Sequence, residues 1–229
     1  MLKPLSSMAR RAQRGASLIE LMVGLTVGLI VVAGAVSLFA TQLSGTRRTT
    51  LEARMNQDMR SAADLIVRDL RRASYWQNAL DGTRATGTGS VTTPNPYRAA
   101  SSAGAQVEYA FSRDATEDNA LGTSEHFGFR LTGSGELQMQ VGEGLWNEIV
   151  DPTLVRVVAF TITPTSRTLP LGDLCPKICM PGAPNCPSTS VRQFDVLLRG
   201  RAVADASITR ELRLAVRLRN DQLEGQCPT

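Results

Sequence analysis

Three patterns of apolar and polar positions follow one another along the chain. Residues 21–40 form an almost uniform apolar run in which Thr26 and Ser37 are the only polar side chains. About 20 residues at about 1.5 Å each match a hydrocarbon core roughly 30 Å thick, so the run predicts a membrane-spanning helix. From Leu51 the pattern changes to a stripe, with Leu51, Met55, Met59, Ala62, Ile66, Leu70 and Ala73 recurring every three or four residues. That is the helix period with one buried face. Arg60, Asp64 and Arg68 follow at helical spacing on the polar side. No proline stands between Pro4 and Pro94, so nothing forbids one helix over about 17–74, with a soft point at Ser44, Gly45 and Thr46.

Residues 81–106 are rich in Gly, Ser, Thr and Ala and hold Pro94 and Pro96, with too little apolar surface to offset ordering. This reads as a surface loop. Thereafter the period drops to two: Val107, Tyr109 and Phe111; Phe127, Phe129 and Leu131; Leu137, Met139 and Val141. The 132–135 segment, Thr-Gly-Ser-Gly, predicts a hairpin turn. Val155, Val157 and 159–162 predict a strand ending at Pro164, followed by Phe194, Val196 and Leu198, a turn at 204–206, and Leu212, Leu214, Val216 and Leu218. An antiparallel meander packed on the outer helix gives an α+β head.

Charge changes the picture at the N-terminus. Lys3, Arg10, Arg11 and Arg14 precede the apolar run with no acid among them, the kind of flank that stays cytoplasmic and sends the rest of the chain outward. Taking these four from the 25 basic residues leaves 21 against 21 acids, so the formal +4 resides in that flank and the case for a nucleic-acid partner loses its basis. What remains is uneven: nine acids face Arg113 and Arg130 over 108–151, and seven arginines face Asp195, Asp205 and Glu211 over 192–219. Opposed patches suit contacts between subunits, though a solvated face is the simpler account. Glu20 is the sole charge between Arg14 and Arg47. A carboxylate at the edge of hydrocarbon costs roughly 2.5–3.5 kcal/mol on insertion scales and calls for a partner, unless it snorkels to the headgroups. Gly24 and Gly28 make a small-xxx-small face for close helix contact.

Gly15 followed by Ala-Ser-Leu-Ile-Glu-Leu-Met-Val over 16–23 resembles the class III signal of type IV pilins and type II secretion pseudopilins. The resemblance implies cleavage by prepilin peptidase between Gly15 and Ala16, methylation of the new N-terminus at Ala16, and retention of the helix in the mature subunit. Ala16 stands where that family usually has Phe. The amine freed at Ala16 supplies the missing cation: paired with Glu20 of a neighbouring subunit, it would neutralise both charges and set axial register. Asp-Leu-Arg-Arg-Ala-Ser-Tyr-Trp over 69–76 is similar to the close of the helix in PilW-type minor pilins, and the 216–220 ending is similar to their last strand. Tyr75 and Trp76 are expected to plug the junction of helix and sheet. The implied fold is pilin-like: leader 1–15, transmembrane and assembly helix 16–43, amphipathic outer helix 44–80, variable loop 81–106, and a β head over 107–229 with a Cys-rich loop at 164–190. The implied partners are other minor and major pilins, prepilin peptidase, an inner-membrane assembly platform and, for a subunit at the tip, an adhesin. The implied location is the inner membrane with the head in the periplasm, and then the fibre. A J-type pseudopilin of a type II secretion system carries the same signals, and a membrane-anchored binding module is the reading from another class.

Cys175, Cys179, Cys186 and Cys227 imply two disulfides in an oxidising compartment, with three pairings open. The pairing favoured on sequence joins Cys175 to Cys179 and Cys186 to Cys227; a four-thiolate zinc site is the rival. His126, the only histidine, sits beside Phe127 at a strand start, and no base or nucleophile is spaced to act with it. The glycine-rich stretch 82–89 lacks a phosphate-loop Lys. No catalytic residue, metal or cofactor is expected; the chemistry this chain undergoes is cleavage and methylation.

Overall fold

The computed structural model describes residues 15, 17–83, 94–183, 186–225 and 227–228. The described chain divides into two units, one ending at Thr50 and one spanning Leu51–Thr229. Helix α1, Leu18–Leu70, contributes to both.

In the second unit the predicted stripe becomes the spine of the core. Met55, Met59, Ala62, Ile66 and Leu70 on α1, with Ala73 just beyond it, are each at most 1% exposed, and Leu51 packs at the margin. Full burial of a Leu, Ile or Met side chain contributes about 1.5–3 kcal/mol, so this face outweighs the helix's own propensity in holding it. The helix stops at Leu70 and the chain turns through Arg71–Arg72–Ala73 to Ser74, whose φ of 63° is left-handed and cannot continue an α-helix. Ser74 N then donates to Ala110 O and Ser112 N to Tyr75 O, at 2.8 and 2.9 Å, tying the exit to the next layer.

That reversal separates two residues expected to act together. Trp76 is buried at 3% exposure, while Tyr75 is 47% exposed, because successive side chains on the extended exit point to opposite sides. Trp76 joins Tyr97 and Ala110 in a small satellite core, its Nε1 donating to Asn119 Oδ1 at 2.9 Å. The predicted plug is therefore Trp76 with Tyr97.

Residues 81–106 are only partly loop. Helix α2 is Ala79–Thr83, Tyr97 is fully buried, and β1 is Ala100–Ala103; residues 84–93 lie outside the described residues. The strand's Ala and Ser residues carry no period-two apolar signal, and its order comes from its partner. β1 begins a five-stranded antiparallel sheet in sequence order with β2 Gln106–Ala110, β3 His126–Leu131, β4 Leu137–Val141 and β5 Trp146–Glu148. The predicted hairpin closes with Thr132 N donating to Glu136 O and Gly135 N to Thr132 O.

The second sheet has β6 Val155–Pro170, β7 Ser188–Ala202 and β8 Thr209–Arg217 in that order, with β9 Gln222–Glu224 also on β7. The predicted single meander is thus two antiparallel sheets sharing one core with α1. Strand β6 does not end at Pro164; it runs on to Pro170 as an edge paired only with β7. Ile162 N leaves the sheet edge to reach Gly104 O, so Pro164 and Pro170, two and eight residues on, also face their missing N–H outward. Proline costs the ladder nothing there and blunts an open edge.

All four cysteines are in disulfides, but as Cys175–Cys227 and Cys179–Cys186, correcting the favoured pairing. Pro170 pairs with Ser188, closing the root of the loop, while β9 lies against Ser188–Ser190 and brings the C-terminus beside Cys175. Cys175 leaves its short turn in extended conformation. The second disulfide packs over Gly172, where a Cβ would stand 2.9 Å from Cys186 Sγ and 3.2 Å from Cys179 Sγ. The thiolates a zinc site would need are consumed.

Candidate functional site

Gly15, where processing is expected on sequence, is exposed and outside regular structure. Ala16 lies outside the described residues. Leu21 N donates to Ser17 O at 3.1 Å, the first hydrogen bond of α1, and Glu20 stands in that first turn. A carboxylate there opposes the positive end of the helix dipole, a contribution of about 0.3–1 kcal/mol. Glu20 is exposed, as is every described residue up to Thr50.

The apolar side chains of this unit cover nothing within the chain. Leu18 is 78% exposed, Ile30 72%, Leu38 71% and Phe39 68%, and the helix is long and apolar enough to cross a membrane. Such a surface needs lipid or other helices around it. Several of its hydroxyls bond back to the helix: Thr26 donates to Val23 O, Thr41 to Ser37 O, Ser44 to Thr41 O and Thr46 to Gln42 O, at 2.8–3.0 Å. Internal satisfaction of polar groups is what hydrocarbon demands. At Gly24 and Gly28, as at Gly34 and Gly45, a Cβ would meet no atom within 4 Å, so the backbone there is bare.

Among the described residues no three His, Cys, Asp or Glu side chains gather as metal ligands. His126 opens β3 and its carbonyl accepts from Gly142 N at 2.9 Å. Two buried acids were not singled out from the sequence, and both are structural. Asp69 accepts from the Tyr109 hydroxyl and pairs with Arg72 at 3.3 Å; burial, then the Asp69 carboxylate, hold the Tyr109 hydroxyl well above its ordinary pKa, so it stays a donor. Glu125, fully buried, accepts from Arg113 N and Gly122 N at 2.9 and 2.8 Å. Neither an acid in the last turn of a helix, as Asp69 is, nor one in the short 3-10 turn before β3, as Glu125 is, gives a local sign of which donors will close on it.

The two ends of the arrangement match known families. Residues 10–36 match the prokaryotic N-terminal methylation motif, and residues 48–218 match the family described as prepilin peptidase-dependent protein B. No curated protein and no solved structure matches the chain. The first match covers the exposed apolar helix, which anchors the chain in a membrane before assembly; the second runs from the outer part of α1 through β8. With the larger match spanning well over half its length, the chain belongs to the prepilin peptidase-dependent protein B family, as a pilin-like component of a pilus or pseudopilus.

Proposed function

We propose that the chain is a minor pilin that incorporates into, or primes assembly of, a type IV pilus at or near its tip. One observation carries the reading: a solitary exposed carboxylate, Glu20, opens a helix whose apolar side chains have no cover in their own chain. Cleavage after Gly15 frees a cationic amine at Ala16, and pairing it with Glu20 of the adjoining subunit neutralises both in a low-dielectric seam. Gly24 and Gly28 let the helices approach. Before assembly the helix spans the inner membrane with the head in the periplasm. Its partners are prepilin peptidase, other minor and major pilins, the inner-membrane platform and an adhesin at the tip. The matched domains are structural rather than enzymatic, in keeping with a role through packing alone.

Mass spectrometry of the mature N-terminus tests processing: a methylated Ala16 is expected, and an intact Met1 would remove the pathway. Glu20→Ala should be cleaved as wild type yet be depleted several-fold from sheared fibres, and recovery at wild-type levels would count against the pairing. Loss of enzyme secretion rather than twitching on deletion would move the chain to a pseudopilus.

A further inference from the structure

A cleft of about 610 Å³ opens where the exit from α1, the start of β7 and the C-terminal tail meet. Ser74, Arg98, Arg192, Arg219 and Asn220 line it. Arg98 and Arg192 reach it from segments 94 residues apart, and Arg219 from just beyond β8. The Arg192 guanidinium is held by neutral oxygens alone: Nη1 donates to Arg98 O at 2.7 Å, and Nη2 to Ser74 Oγ at 2.7 Å and Asn220 O at 3.2 Å. Its Nε is the one buried side-chain N or O atom without a hydrogen-bond partner among the described residues. Burial lowers its pKa from the usual arginine value, and Asp221 only partly opposes that. The exposed Arg98 and Arg219 guanidiniums have no hydrogen-bond or ion-pair partner among the described residues.

The acids on the rim are already engaged. Asp221 Oδ2 accepts from Arg217 at 2.9 Å, and Glu224 Oε1 from Gln222 at 2.7 Å. A half-buried cation with neutral partners and an idle N–H leaves a favourable place for negative charge. Two free guanidiniums beside it supply the forked donors that oxyanions take. The volume lies within the range of small-ligand sites, about 300–1,000 Å³.

We propose that this cleft binds an oxyanion, either a phosphate-bearing small molecule or the carboxylate of a neighbouring protein. Arg98 and Arg219 grip it, and Arg192 is the fixed charge behind them. The site is independent of helix assembly and of the cleavage site.

The test uses the mature full-length chain, disulfides intact, in neutral maltoside micelles, with inorganic phosphate and N-acetylglutamate as separate probes in calorimetry. Saturable binding of at least one probe is expected, weakened more than about fivefold in Arg98→Gln/Arg219→Gln, where each tenfold is about 1.4 kcal/mol. Those side chains hold nothing in the fold, so the melting temperature without probe should not change. Tighter phosphate binding assigns the small molecule, and tighter N-acetylglutamate binding the protein carboxylate. Arg167→Gln/Arg201→Gln, an equal charge change outside the cleft, should leave affinity unaltered. No saturable binding, a smaller loss in the first variant, or an equal loss in the second would overturn the site.

Discussion

Glu117 is a half-buried carboxylate whose surroundings outweigh its burial. Desolvation alone raises its pKa, but hydrogen bonds from Ser112, Tyr97 and the backbone N–H groups of Asn119 and Gln77 favour the charged form more, and the net pKa is lowered. Tyr97, in turn, is pushed above its ordinary value by burial and then by Glu117, so it remains the donor in their 2.9 Å bond. A folded pKa below the unfolded one means that Glu117 contributes stability in full above the unfolded value, about 4.3, and loses it as pH falls through the folded value. Glu117→Gln should therefore unfold at lower urea than wild type at pH 7. Its midpoint should also fall less steeply than that of wild type below about pH 4.5. Parallel acid limbs for the two proteins would show that the carboxylate is not linked to folding. Asp151 and Glu211 also have lowered pKa values, from hydrogen bonds by Thr153 and by Arg199 respectively, so some slope stays in the variant.

Helix α1 and strand β7 meet closely at Gly200. A Cβ there would lie 2.7 Å from Met59 Sδ and 2.8 Å from Val155 Cγ1, so the helix rests on β7 at a place with no room for a side chain. Met59 can shift its end, but Val155 is branched at its β carbon and 1% exposed. Gly200→Ala should cost about 1–3 kcal/mol of unfolding free energy, the usual range for overpacking, read from chemical denaturation. An unchanged midpoint would mean the helix can lift without loss. The opposite device operates at the open edge of β6, where Pro164 and Pro170 deny an incoming strand two donors and residues 163–168 are all exposed.

At the scale of the whole chain, two disulfides of unequal reach brace the head. Cys175–Cys227 joins residues 52 apart and Cys179–Cys186 residues 7 apart. On chain-entropy grounds the long closure contributes about 4 kcal/mol and the short one about 2. Cys175→Ser/Cys227→Ser should lower the denaturation midpoint more than Cys179→Ser/Cys186→Ser, and the reverse order would show that the small loop is the true brace. The long bridge also anchors the tail whose residues 219–225 line the arginine cleft, so the first double variant should bind anions more weakly than the second.

Much of this protein was legible from local patterns, because periodicity is a local property. The 3.6-residue stripe from Leu51 to Ala73 is the face that α1 buries, and the alternation at Val107, Phe127, Phe194 and Leu212 marks strands that form. The Gly15 to Glu20 signal is contiguous, and so are the segments that matched known families. The chain alone therefore determined an exposed apolar helix, an α+β head and the N-terminal motif that matches a known family. The tertiary structure decided whatever depends on distant segments meeting. Sequence spacing could not choose among cysteine pairings, since β9 on β7 is what brings Cys227 to Cys175. Ala100–Ala103 becomes a strand only because β2 offers it a ladder, and β6 passes Pro164 only because that side of the strand has no partner to lose. The arginines at 98, 192 and 219 read as scattered surface charge until the fold turns them into one cleft, where burial and missing partners give them a chemistry that no local pattern encodes.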